Sequence, residues 1–222
     1  HPRTPWNEGD VMTRHGFLWL LAIVLIFLFA PLLNSQSDYD TCVKEELDTA
    51  TAWYNASSVR SIVDRTNVMY STILVRTGID PLIRKHFVKP LPSKEIAPGV
   101  TLPKYIAPYA DHMMEYWGNF LQNFWMFFFR IAHSLAWVMY LMPFLFAIVF
   151  DGVMTRKAKL ASFKYTSPTV YNLSWHIIIA IVAMSLVAFS VVTPLSIFFY
   201  PAAITVIGVL VRLVISNIQH SA

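Results

Sequence analysis

Seven histidines, one cysteine and 13 carboxylates are the groups with which this 222-residue sequence could do acid–base, nucleophilic or metal chemistry. Their spacing supports little of it. The histidines are His1, His15, His86, His112, His133, His176 and His220, and no two stand four apart, as a helical zinc pair requires. His112 and Glu115, three apart, make half of a metal site. Arg130 and His133 share that spacing, at the expected outer membrane boundary. Cys42 has no second cysteine, which excludes an internal disulfide and a cysteine-rich metal centre. The seven glycines are scattered, and neither a Gly-x₄-Gly-Lys-Ser/Thr phosphate loop nor a Gly-x-Ser-x-Gly elbow occurs. No catalytic residue, metal or cofactor is expected, and the chain does not read as an enzyme.

The elements explain this poverty. The sequence is 56% hydrophobic and only 14% charged, against about 25% charged in ordinary soluble domains. Residues 1–115 hold 11 basic and 12 acidic groups, whereas residues 116–222 hold six basic groups and one acid, Asp151. Three long stretches carry no formal charge: 16–33, 131–150 and 165–211. The last has 47 residues, about 70 Å as a single helix, and must fold back; Pro194 and Pro201 mark the turn. These stretches predict an all-α polytopic membrane protein with four transmembrane helices, over 16–33, 121–150, 175–193 and 198–218. Eight aromatics between Tyr116 and Phe129 read as an interfacial belt at the start of the second span. Arg130 and Arg212 then become membrane-boundary charges that snorkel outward. No carboxylate pair lies inside a span, so an acidic proton relay has nothing to work with.

Between the first two spans, residues 34–120 read as a helical and proline-rich extracytoplasmic domain. Apolar residues recur at helical spacing from Val43 to Leu74, which reads either as one long helix interrupted near Asn55–Ser58 or as two helices packed as a hairpin, with a stop at Gly78 and Pro81. Six prolines within 79–110 predict an extended connector with one short helix around 82–88. Orientation follows from lysine and arginine in short loops. The loop 151–174 carries Arg156, Lys157, Lys159 and Lys164, and the turn 194–197 carries none. The basic loop, the N-terminal segment 1–15 and the C-terminus 219–222 are therefore expected in the cytoplasm of a bacterium, with 34–120 in the periplasm.

The basic loop is the most distinctive feature. Asp151 and Gly152 suggest a turn at the membrane exit, followed by spaced cations that would bind anionic lipid or a protein partner. The stretch Phe150–Asn172, between an apolar span and a two-span hairpin, resembles a family of small inner-membrane proteins of integrating conjugative elements and conjugative plasmids. Members of that family are typically encoded near the coupling ATPase of a type IV secretion system. Asp151, Gly152 and Arg156 match its pattern; Lys159 and Tyr165-Thr166 depart from it. The resemblance implies a non-enzymatic role in DNA transfer. The implied partners are the coupling ATPase or other conjugation membrane subunits, membrane lipid, and further copies of the chain, without direct contact to DNA. An exclusion-type membrane protein and a small-solute transporter are the rival readings.

Overall fold

The computed structural model describes residues 8–88, 95–97, 100–101 and 107–218, with side chains over 17–87 and 112–218. Residues 1–7 and 219–222, and Pro90, Pro92, Pro98 and Pro103 of the expected connector, lie outside the described residues. Eight α-helices carry most of what is described: α1 Glu8–Leu33, α2 Gln36–Trp53, α3 Ala56–Tyr70, α4 Ile79–Ile83, α5 Ala107–Tyr140, α6 Met142–Ala161, α7 Pro168–Ser190 and α8 Phe199–Ser216. π-Helical turns follow α3 and α4, over Ser71–Val75 and Arg84–Val88. Two short strands, β1 Glu95–Ala97 and β2 Val100–Thr101, pair antiparallel, a small addition to the expected all-helical fold.

Side-chain chemistry sets the helix ends. At the start of α2 the Asp38 carboxylate accepts from the Ser35 amide at 2.8 Å and from its hydroxyl at 2.7 Å. Those two bonds, the hydroxyl first, hold Asp38 below the ordinary carboxylate range. The break between α2 and α3 falls at Tyr54–Asn55, where the Asn55 side chain accepts from the Ser58 amide at 2.8 Å. Gly78 turns the chain into α4 with φ +82°, a conformation that favours glycine. The Asp80 carboxylate then gathers the Tyr70 hydroxyl and, at 2.8 Å, the Arg84 guanidinium. Burial, then the Asp80 bond, pushes the Tyr70 hydroxyl up to about 12.

The expected span over 121–150 is not one straight helix. It divides at Leu141 into α5 and α6, because Pro143 has no amide hydrogen for the Met139 carbonyl and its ring crowds that turn. Helices α7 and α8 are each long and apolar enough to cross a bilayer. The pairs α1 with α2 and α5 with α6, bent by 112° and 65°, meet the same requirement only as pairs. The chain thus has two to four candidate membrane spans among the described residues.

Two compact units emerge. Among the described residues, a polar unit takes in those of 25–132 together with 189–196, and an apolar unit takes in those of 8–24, 133–188 and 197–218. In the polar unit, Tyr39, Cys42 and Met126 form a buried cluster against which Val43 and Val192 pack. Phe27 meets Phe120, Phe124 and Phe127 edge to face, with ring centroids 5.9, 4.5 and 5.7 Å away. The expected aromatic belt is therefore turned largely inward, and Phe128 and Phe129 are buried. In the apolar unit, Ile178, Leu210 and Val214 centre a second cluster, and α6 lies beside α8.

Candidate functional site

Arg130 sits on the buried face of α5 with no exposed surface. It does not snorkel. A fully buried guanidinium needs five acceptor contacts for its five N–H groups and an opposite charge, and both needs are met inside the polar unit. Its Nε and Nη2 donate to Glu46 Oε1 at 3.0 and 2.5 Å. Its Nη1 donates to the carbonyls of Phe189 and Val191 at 3.1 and 2.7 Å, and Nη2 donates to that of Thr193 at 2.6 Å. The Leu195 amide donates back to Glu46 Oε1 at 3.0 Å. The strap that joins α7 to α8, residues 191–198, is thus gripped by its main chain at alternate positions. Glu46 is only 4% exposed, so the pair is desolvated.

Cys42 lies against this clamp. Its Sγ is 3.4 Å from Arg130 Nη2 and 3.7 Å from Met126 Sδ. Burial pushes the Cys42 thiol up to about 11; Arg130 pulls it the other way and Glu46 adds to the rise. A thiol so placed is neutral and a poor nucleophile.

The same face of α5 carries Asn119, Asn123, Met126 and Arg130, spaced four, three and four apart and all buried. The asparagines read another helix end. Pro31 has no amide hydrogen, so the carbonyl of Phe27, four residues earlier, loses its partner within α1. Asn123 Nδ2 donates to that carbonyl at 3.3 Å. Asn119 Nδ2 donates to the Asn34 carbonyl at 2.9 Å, and the Tyr116 hydroxyl to that of Leu28 at 3.2 Å. Helix α5 therefore supplies donors to the orphan carbonyls at the end of α1 and along the 189–193 stretch.

The residues expected in a basic loop lie mostly on helix α6, which continues to Ala161. Asp151 and Gly152 do not form a turn there. Nothing between Pro143 and Ala161 breaks the helix, and Gly152 is buried where α6 meets α8. A Cβ at Gly152 would lie 3.3 Å from both the Arg212 carbonyl oxygen and Ile215 Cβ. A Cβ at Gly208 would lie 3.1 Å from Leu145 Cδ2. Small residues let the helices approach, as in membrane helix pairs. Asp151 pairs with Arg212 across this seam, both partly exposed. Lys159 donates to the Ser216 carbonyl at 3.1 Å and to Asn217 Oδ1 at 2.9 Å, placing a cation at the end of α8. The Ser167 amide reaches the same Asn217 oxygen at 3.3 Å.

Of the other expected cations, Lys157 and Lys164 are exposed, whereas Arg156 is half-buried with its Nε inside. Between them the chain leaves α6 by a Schellman turn: the Lys164 amide bonds the Lys159 carbonyl at 2.9 Å, and that of Phe163 bonds Leu160 at 3.3 Å. Phe163 occupies the left-handed position with φ +52° and is 97% exposed.

In the sequence Arg130 and Arg212 read as boundary charges, without their partners. Glu46 stands 84 positions from Arg130, beyond the reach of local periodicity. A hint was present in the helical spacing of Asn119, Asn123 and Arg130 in an otherwise aromatic stretch.

A family model described as IncC plasmid conjugative DNA transfer protein DtrJ-like matches residues 34–219. No curated protein and no solved structure matches the chain. The matched region takes in the clamp, the α6–α8 seam and the cationic helix end. The conjugative resemblance read from Asp151, Gly152 and Arg156 is thereby placed on most of the chain, which belongs to the DtrJ-like family of IncC plasmid conjugative DNA transfer proteins.

Proposed function

We propose that this chain is a non-enzymatic inner-membrane subunit of a bacterial conjugative DNA-transfer apparatus of the type IV secretion class. The observation that carries the reading is the family match over residues 34–219. In this reading the spans pack against the membrane anchor of the coupling ATPase, against other conjugation subunits, or against further copies of the chain. The exposed apolar side chains of α1 suit such packing, with Leu18, Leu20, Phe29 and Leu32 all more than half exposed. Both termini and the end of α6 face the cytoplasm, by the excess of lysine and arginine over 151–164. The polar unit faces the periplasm. In this reading the clamp holds position, with the donors of Arg130 meeting Glu46, main-chain carbonyls and the Cys42 sulfur.

The test is a mild-detergent pull-down of the tagged full chain from cells carrying its whole genetic element, read by mass spectrometry beside transfer assays of a deletion. Recovery of the coupling ATPase or of other conjugation membrane subunits, with loss of transfer on deletion, is the expected result. Intact transfer with lost exclusion would replace this reading by the exclusion-type one. Solute uptake by the purified chain in liposomes would replace it by a transporter.

A further inference from the structure

The turn from α6 into α7 presents an unusual combination. Phe163 is 97% exposed and Tyr165 79% exposed, with Leu160 44% exposed beside them. Lys157 and Lys164 are exposed on either side, and Arg156, half-buried with its Nε inside, stands on the adjoining turn of α6. Three nearby polar groups are already committed: Asp151 to Arg212, Lys159 to the end of α8, and Asn217 to both Lys159 and Ser167. What remains facing outward is mainly cationic and aromatic, and the nearby Asp151 carboxylate is tied to Arg212.

The position of this group along the chain identifies its surroundings. Helix α7 has 23 residues, about 34 Å in length, and qualifies as a span by itself. Tyr165 lies three residues before its first residue, Pro168, and so falls at the level where a bilayer gives way to headgroups. Aromatic rings with a polar edge settle there, and lysines there face lipid phosphates. The backbone supports the same reading. A bulky residue with positive φ is uncommon, and a glycine would make this Schellman turn without steric cost. Here the turn instead displays a phenyl ring outward.

We propose that the α6–α7 turn is a binding site for anionic phospholipid headgroups. Lys157, Lys164 and Arg156 supply the positive charge, and Phe163 and Tyr165 insert beside the acyl-chain boundary. The commitment of Asp151, Gly152 and Lys159 to internal contacts favours this lipid site over a protein-docking turn. The inference rests on α7 crossing a bilayer and not on the role in DNA transfer.

The experiment uses the purified full-length chain, exposed in detergent to mixed phosphatidylglycerol and phosphatidylcholine and examined by native mass spectrometry. The wild type is expected to retain phosphatidylglycerol in preference to phosphatidylcholine. Lys157→Gln with Lys164→Gln, at exposed positions that hold up no packing, should weaken that preference about 5-fold per lysine and about 30-fold together. Phe163→Ser with Tyr165→Ser should reduce retention of both lipids. Lys44→Gln, on α2, should change neither. Inorganic phosphate added in excess should displace nothing, which separates a lipid from a free anion. An unchanged preference in the double lysine variant overturns the proposal. So does a double lysine variant that keeps its lipid while losing a conjugation partner in the pull-down, since that assigns the turn to protein.

Discussion

At the scale of single residues, the buried pair Arg130–Glu46 makes the sharpest prediction. Removing one member leaves the other charged, desolvated and alone. Arg130→Leu should destabilise the polar unit by about 3–5 kcal/mol, read as a lower midpoint of thermal unfolding in detergent. Arg130→Lys should restore little, because an ammonium has neither five donors nor a planar fork. Arg130→Leu with Glu46→Leu should recover part of the loss, since no unpaired charge remains. Full stability of Arg130→Leu would mean that the clamp is ornamental. Cys42 makes a second prediction. With its thiol buried and pushed up to about 11, it should resist maleimide at neutral pH and react only after unfolding. Rapid labelling of the folded chain would show that the cluster around Tyr39 and Met126 opens readily. The spacing of Asn119, Asn123 and Arg130 hints at a polar face on α5, but the partner of Arg130 is not legible in the sequence. Arg130 reads there as a boundary charge because its local surroundings are aromatic, and the acid that meets it belongs to a helix 84 residues earlier.

At the scale of elements, the legible and illegible parts divide by the range of the interactions. The break at Asn55, the stop at Gly78 and the turn between α7 and α8 come from side chains acting within a few residues, and the sequence carries them openly. The continuation of α6 through Asp151-Gly152 brings Gly152 against α8, about 60 residues on, which makes it a packing glycine. That change of role changes what a substitution does. Gly152→Val should push α6 off α8 at the Arg212 carbonyl and Ile215, costing about 1–3 kcal/mol. Asp151→Asn should cost under about 1 kcal/mol, since its pair with Arg212 is partly exposed. Thermal unfolding of the two variants side by side separates a packing seam from a charge-stabilised one: a larger loss in Asp151→Asn would reverse the assignment. Asn55→Ala should remove a cap worth about 1 kcal/mol and loosen the corner between α2 and α3.

At the scale of the whole molecule, the prediction concerns sidedness. Ser61 on α3 and Ser162 at the end of α6 are both exposed. With Ser61→Cys or Ser162→Cys as the introduced thiol, an impermeant maleimide should label the first in cells with only the outer membrane opened. It should label the second only after the inner membrane is broken. The silent Cys42 need not be removed. Labelling in the opposite order would place the polar unit in the cytoplasm and the cationic end of α6 outside. Composition alone was sufficient to read a membrane chain with a polar interruption, because hydrocarbon tolerates so few charges. The number of spans is less legible, since Pro143 and the corner after Leu33 bend two of the candidates.

The clamp has a consequence for how this chain can drift. Arg130 and Glu46 hold Phe189, Val191, Thr193 and Leu195 through carbonyl oxygens and one amide, atoms that every residue brings. The grip is indifferent to which side chains occupy those places, while Val192 answers separately to the cluster around Tyr39. Proline is the exception, and its place is dictated. Pro194 falls where no amide hydrogen is drawn upon, whereas a proline at Leu195 would remove the hydrogen that Glu46 receives. Mutational scanning of the strap should therefore return a nearly blank specificity profile at 191 and 193, with proline alone rejected at 195. The lock keeps its shape while its lettering changes.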